Sequence, residues 1–350
     1  MSLAMLALYV VKATVLVAAL LTGFAYATFF ERRVIARMQG RLGPNRAGPT
    51  GLLLPLADGI KLVFKENITP RSADKAIYLL APVISVVVAI VTFAVIPIGD
   101  PLTLEWRGSL VEIPMQIGEV NVALLYVLGV SSLAVYGIVL AGWASDNKYA
   151  LLGGLRSSAQ MISYELAMGL SIVGVVMLAG TLSIREIVDL QSLWPFVLIQ
   201  PLGFAVYAVT ALAETNRAPF DLPEAEQELI AGYHTEYTGM RFALFYMAEY
   251  INMITVSAVA VSLFWGGYHL PCAPGTALSF LCDPPWLLGP IVFTAKVLIC
   301  LFGFVWLRAT LPRLRYDQLM DLGWKVLLPL ALLNVVLTAV PLVWWQGRVG

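Results

Sequence analysis

Charged residues are scarce in this chain. Asp, Glu, Lys and Arg make up 13% of its 350 residues, where a soluble protein carries about 25%. Histidine is scarcer still: only His234 and His269 occur. Both fall in connections between apolar runs, so no apolar run offers the axial ligands that a membrane b-type haem requires. The three cysteines, Cys272, Cys282 and Cys300, form no CxxC and no metal-site spacing. Neither GxGxxG nor GxxxxGK[ST] is present. These absences argue against a haem, an iron–sulfur cluster, a nucleotide, a flavin or a metal held by this chain. A formal net charge of zero gives no reason to expect nucleic acid as a partner. The first apolar run has no basic segment before it and is too long for a signal peptide, so it reads as a retained helix. No internal repeat of the kind found in many secondary transporters is visible.

What the chain has in abundance is apolar sequence: 59% hydrophobic residues and a mean hydropathy of +0.82. Several runs approach the roughly 20 residues that a bilayer core demands of a helix. The expectation is an all-α polytopic membrane protein, a single membrane domain over 1–350. About eight transmembrane helices are placed near 4–30, 77–97, 122–142, 157–180, 193–213, 242–265, 286–307 and 326–346.

Lys and Arg set the orientation. The 31–76 connection holds Arg32, Arg33, Arg37, Arg41, Arg46, Lys61, Lys65, Arg71 and Lys75. Later odd-numbered connections add Lys148, Arg156, Arg217, Arg241, Arg308, Arg313, Arg315 and Lys325. The opposite side has only Arg107, Arg185 and Arg348. Odd-numbered connections are therefore expected to face the cytoplasm, with both termini outside. Within the first inner loop, residues 51–68 (GLLLPLADGIKLVFKENI) carry Asp58, Lys61 and Lys65 at helical spacing among Leu, Ile, Val and Phe. That pattern predicts an amphipathic helix lying at the membrane interface. On the outer side, the separation of Cys272 and Cys282 is compatible with a disulfide and equally with two free thiols.

Ionisable groups inside spans are costly, and they are functional by default. Three stand out: Glu165, about 12–14 Å along the fourth span from its inner end; Glu249, roughly 10–12 Å along the sixth; and Lys296, near the middle of the seventh. Lys12 lies closer to an end and can snorkel. Glu214 closes the fifth span and opens an acidic inner loop over 214–241, which also contains Asp221, Glu224, Glu226, Glu228 and Glu236. Asp221, Pro223 and Glu224 fit a helix N-terminus. Glu226, Glu228 and Glu236 are left without that explanation, and Glu224 would repel Glu228 on one helix face. Burial and like-charge neighbours raise a carboxyl's hold on protons, so clustered acids can share and pass them. All these acids sit in the inner half of the membrane or inside it. A proton path built from them would start inside, reach mid-membrane and continue in a neighbouring chain. The plainer alternative is that Glu165 and Glu249 each pair with an Arg or Lys from another element.

Five strings occur in order between residues 31 and 325: ERRVIARMQGRLGPNRAGPTG, PLADGIKLVFKE, GWASDNKYALLGGLRSSAQMISYE, AETNRAPFDLPEAEQELIAGYHTEYTGMRFALFYMAEY and LRATLPRLRYDQLMDLGWK. Together they resemble the H subunit of bacterial respiratory complex I (NADH:quinone oxidoreductase), whose mitochondrial counterpart is subunit 1. The outer connections match least, and Asp146 stands where the family pattern leads one to expect Asn. The resemblance implies a plasma-membrane subunit with no redox cofactor of its own, working in a proton-translocating NADH:quinone oxidoreductase whose substrate is ubiquinone or another quinone. It implies partners: the peripheral-arm subunits at the quinone site, neighbouring membrane-arm subunits, and membrane lipid. It places Arg32, Asp58 and Arg217 near the quinone path, with span one, the surface helix and span six at its entrance. It places Glu165, Glu214, Glu224, Glu226, Glu228 and Glu249 in an acidic relay leading into the membrane arm. Lys296 is a further candidate from its position inside the seventh span, not from the resemblance.

Overall fold

The computed structural model describes residues 3–106, 109–222, 230–270 and 288–349. Glu224, Glu226 and Glu228, and the Cys272–Cys282 pair, lie outside the described residues.

Helix α1 (Leu3–Met38) is followed by the surface helix α2 (Leu54–Phe64), then α3 (Lys75–Phe93) and a hairpin of β1 (Leu102–Trp106) and β2 (Ser109–Ile113). Next come α4 (Ala123–Ser131), α5 (Ala134–Ala144), α6 (Lys148–Ala179) and the short helices α7 (Ile184–Leu190) and α8 (Phe196–Ile199). Helices α9 (Pro201–Glu214), α10 (Gly239–Phe264), α11 (Leu288–Thr310), α12 (Tyr316–Asp321) and α13 (Leu328–Val349) complete the chain. A π-helical turn, Leu322–Leu327, joins the last two. The helical expectation holds, with one small addition in an outer connection. There LTLEW alternates apolar and polar residues, and the two strands pair antiparallel from Leu102 opposite Ile113 to Trp106 opposite Ser109.

Among the described residues, seven helical segments are long and apolar enough to cross a membrane, and Pro201–Glu214 is a shorter apolar helix. The fifth expected span is the one that differs. Its run is interrupted by Pro195 and Pro201, and Gln200 between α8 and α9 is non-helical at φ −124°. Helix α9 is thus only about 21 Å long, against roughly 30 Å of hydrocarbon. Helix α1 runs eight residues past its expected end, and this places Glu31 on a helix instead of in a loop. The surface helix is shorter than expected, has no buried residue, and exposes Leu56, Ile60, Val63 and Phe64.

Helix α10 is the most enclosed of the seven, while α1 and the segment ending in α13 are peripheral. Small residues let the others close around it. A Cβ on Gly137 would lie 2.1 Å from Ser85 Oγ of α3, and one on Gly142 would lie 2.6 Å from the Ala150 carbonyl of α6. Such close approach is how helices gain contact in lipid, where apolar burial offers little net drive. Caps are in place: Asp74 accepts from the Ala76 and Ile77 amides, and Asn147 from Tyr149 N. Asp146, just before, has φ +49°, a left-handed position that Asp and Asn share better than most residues.

Candidate functional site

Helix α9 stops at Glu214, and the chain turns sharply back on itself. Asn216 takes a left-handed φ of +51°, and the Phe220 amide donates to Arg217 O at 2.8 Å. Fully buried Gln160 of α6 pins this turn, its amide donating to Ala213 O at 2.7 Å and Phe220 O at 2.9 Å. Irregular backbone is tolerated at this depth only when such partners satisfy it.

The turn delivers Arg217 into the protein, where it is 5% exposed. Arg217 Nε lies 2.6 Å from Glu249 Oε1 on α10, and Nη1 lies 3.7 Å from Glu31 Oε1 on α1. Glu31 also pairs with Arg308 of α11 and accepts from the Tyr250 hydroxyl at 2.7 Å. The Arg217 guanidinium stacks 4.2 Å from the Tyr250 ring centroid, with Tyr246 at 5.7 Å. Two acids and two arginines thus balance each other, with Arg217 and Glu31 buried and the Arg308 side chain 33% exposed. Burial works against the charged guanidinium, but Glu249, Tyr250 and Glu31 together outweigh it and push the Arg217 pKa above its ordinary range. Arg217 Nη2 is buried and, among the described residues, has no hydrogen-bond acceptor.

Of these four, Glu31 and Arg308 line a polar chamber of about 740 Å³ together with Tyr246, Tyr250, Arg32, Gln39 and Arg41, and Arg217 and Glu249 lie behind them. At its rim Arg32 pairs with Asp58 of the surface helix at 3.0 Å, and Lys61 reaches the same carboxylate at 3.4 Å. A second, largely apolar crevice of about 770 Å³ runs between α1, α10 and α11, with Arg33 and Arg37 at its inner end.

Behind the quartet, Glu249 and Glu214 line one small internal cavity, and Glu214 lines a second. Glu214 Oε2 is buried and, among the described residues, has no hydrogen-bond partner. Glu214 interacts electrostatically with Glu165, and hydroxyls at the α4–α5 break lie beside both: Ser131 by Glu214 and Ser132 by Glu165. Arg217, Glu249, Glu214 and Glu165 are therefore brought together in one run. Glu249 does pair with a cation, as the plainer reading allowed; among the described residues Glu165 forms no ion pair. Glu236 of the acidic loop accepts from Asn147 Nδ2 at 2.7 Å and so docks that loop on the start of α6.

Lys296 lies elsewhere. Its ammonium donates to the carbonyls of Trp265, Gly267 and His269 at 2.6–2.9 Å, closing the C-terminal end of α10. A cation there suits the negative end of the helix dipole. Among the described residues no group of three or more His, Cys, Asp or Glu side chains is placed to hold a metal.

Sequence reasoning missed Glu31, Arg308, Tyr250 and Gln160 as site residues. Glu31 was legible in principle, as the only acid beside the basic run RRVIAR; ending the first span at residue 30 hid it.

A family model for NADH dehydrogenase matches residues 11–339 of the chain. Relatives include the NADH-quinone oxidoreductase H subunit of Thermomicrobium roseum, 54% identical over 343 residues, covering 95% of each chain. The first of the H subunits of Geobacter metallireducens is 52% identical over 334 residues, covering 95% of this chain and 96% of the relative. The H subunit of Protochlamydia amoebophila is 54% identical over 318 residues, covering 91% and 92%.

Proposed function

Because the chain belongs to the NADH dehydrogenase family, and within it groups with the H subunits of NADH-quinone oxidoreductase, we propose that it shapes a quinone chamber and couples quinone reduction to proton movement through its buried carboxylates. It is a membrane subunit of a translocating oxidoreductase. The observation that carries the finer reading is the run from the polar chamber through Glu31, Arg217 and Glu249 to Glu214 and Glu165.

The quinone enters from the membrane between α1, α2 and α10, past Arg32 and Asp58. The spare Nη2 donor of Arg217 suits a quinone oxygen or the negative charge that reduction brings. A unit charge about 4 Å from the guanidinium, at an effective dielectric of about 20, is worth on the order of 4 kcal/mol. That is enough to compete with Glu249 for Arg217. Glu249, released from its partner in a site with little water, then gains affinity for a proton. Its change of charge is felt by Glu214 and onward by Glu165. Lines of buried acids of this kind titrate as a set. Glu224, Glu226 and Glu228 would supply the inner end. The chain binds no redox cofactor in this reading, and quinone is the substrate of the assembled complex. Its partners are the peripheral-arm subunits at the quinone site and the adjoining membrane-arm subunits, in a bacterial plasma membrane with both termini outside.

The deciding experiment replaces Glu214 by Gln in the assembled complex and follows quinone reduction and proton pumping together. Loss of both with the complex intact supports the relay. Full pumping overturns it. Loss of assembly alone would instead favour a scaffold for the peripheral arm.

A further inference from the structure

Helix α10 carries a second polar residue one turn beyond Glu249. Residues three apart share a helix face, so Asn252 points the same way as Glu249. It lines both small cavities, as Glu214 does. The first cavity joins Glu249, Asn252 and Glu214, with Ser85, Thr215 and Asn216 also on its wall. The second joins Asn252 and Glu214 with Thr92, Ser131 and Thr255. Each has a volume of about 30 Å³, above the roughly 10–15 Å³ that one water needs.

Three hydroxyls on these walls have already committed their protons: Ser85 donates to Ala81 O, Thr92 to Val88 O and Thr255 to Ile251 O. Each of the three can only accept from whatever occupies the cavity. Ser131 reaches both Leu128 O and the Glu214 carboxylate. Asn252 is different: among the described residues its amide makes no hydrogen bond. It has two N–H donors and a carbonyl acceptor to offer, between two cavities, beside a carboxylate whose Oε2 is also without a partner.

We infer that Asn252 is a positioning residue that holds ordered water in both cavities and so bridges Glu249 to Glu214 and Ser131. The inference rests on the relay reading above. Asn252 donates Nδ2–H to a water oxygen, which fixes that water's own hydrogens toward the carboxylates. A proton leaves protonated Glu249 for the water oxygen as the same water gives another proton to the Glu214 carboxylate. One O–H bond forms and one breaks at the water, and Asn252 is unchanged. An apolar side chain at 252 would remove the amide donor that lies on both cavities, and the waters would lose the contact that fixes this orientation.

The test uses the complete complex in membranes, with Asn252→Leu, Asn252→Ala and Asn252→Gln. Three quantities are read: quinone reduction rate, protons pumped per quinone reduced, and the infrared carboxylic C=O band of Glu214, assigned by its loss in Glu214→Gln. Leu and Ala should lower pumping on the order of tenfold, the rate equivalent of about one hydrogen bond, and should shift the band. Gln, which keeps the amide, should retain most of both. Ala cannot overfill the site, so it decides if Leu prevents assembly. Native pumping, or lowered pumping with an unmoved band, in Asn252→Ala overturns the inference. If Glu214→Gln itself pumps fully, the relay reading falls with it; if Glu214→Gln is inactive and Asn252→Ala is native, only the water bridge falls.

Discussion

Arg217 and Glu249, 32 positions apart and on different elements, meet at 2.6 Å with 7% and 14% of their side chains exposed. The contact joins the turn after α9 to the most enclosed of the seven long apolar helices. Glu31, 3.7 Å from Arg217, lines the polar chamber, and Glu249 lines one of the small cavities.

Removing one member of such a pair strands the other charge. Arg217→Leu should destabilise the folded subunit by about 3–5 kcal/mol, read as loss of assembled complex or a lower inactivation temperature. Arg217→Leu combined with Glu249→Leu should cost less than the two single changes added. A strictly additive result would mean that the pair is not coupled.

Tyr250 contributes through its hydroxyl as well as its ring. Tyr250→Phe keeps the ring beneath Arg217 and removes the hydrogen bond to Glu31. A bond to a charged group is worth about 1.5–3 kcal/mol. Assembly should survive, and quinone KM should rise more than kcat falls. Unchanged kinetics would place the Glu31 carboxylate outside the quinone's surroundings.

The Arg32–Asp58 pair is of the opposite kind, with side chains 56% and 31% exposed. Exposed pairs are worth about 0–1 kcal/mol and are screened by salt. Asp58→Asn should leave thermal stability nearly unchanged. If the pair frames the quinone's entrance, KM for quinone should change and should lose its dependence on ionic strength. A large stability loss would show that it does more than frame.

Lys296 is expected to act as a helix cap. Lys296→Met should lower the inactivation temperature while leaving protons pumped per quinone unchanged, since among the described residues the ammonium meets only backbone carbonyls. A fall in that ratio with the complex intact would return Lys296 to the relay.

In α7, Asp189 accepts from Tyr268 at 2.9 Å and lies 3.3 Å from His269 Nε2. Partial burial raises its pKa, but these two partners outweigh that and hold it below the ordinary carboxylate value. A carboxyl depressed on folding contributes stability above its unfolded pKa, about 3.9, and loses it as pH falls through the folded pKa. Asp189→Asn should therefore reduce stability at neutral pH and flatten the acid limb of a stability–pH curve. An unchanged acid limb would show that the contact is not maintained.

Much of the frame was legible because it depends on local composition. Long apolar runs specify membrane helices wherever they occur, and Asp58, Lys61 and Lys65 at helical spacing marked the surface helix. The fifth span is shorter than its hydropathy suggests, because Pro195 and Pro201 break the hydrogen-bond ladder whatever the average greasiness. The buried acids Glu165, Glu214 and Glu249 were legible because a carboxylate in an apolar run is conspicuous. Glu31 was not, because at the end of an apolar run it looks like any other residue of a charged loop.

By itself the sequence determined that this is a multi-pass membrane chain, where its charges are rare, and to which family its inner loops are similar. These are properties of segments, set by the cost of placing polar groups in lipid. The tertiary structure alone decided which charges meet. Glu31 and Arg308 are 277 positions apart, and nothing in either neighbourhood names the other. They are joined because α1, α10 and α11 pack together and a non-helical turn after α9 brings Arg217 between them. A buried charge must find its opposite, and which opposite it finds is a matter of packing.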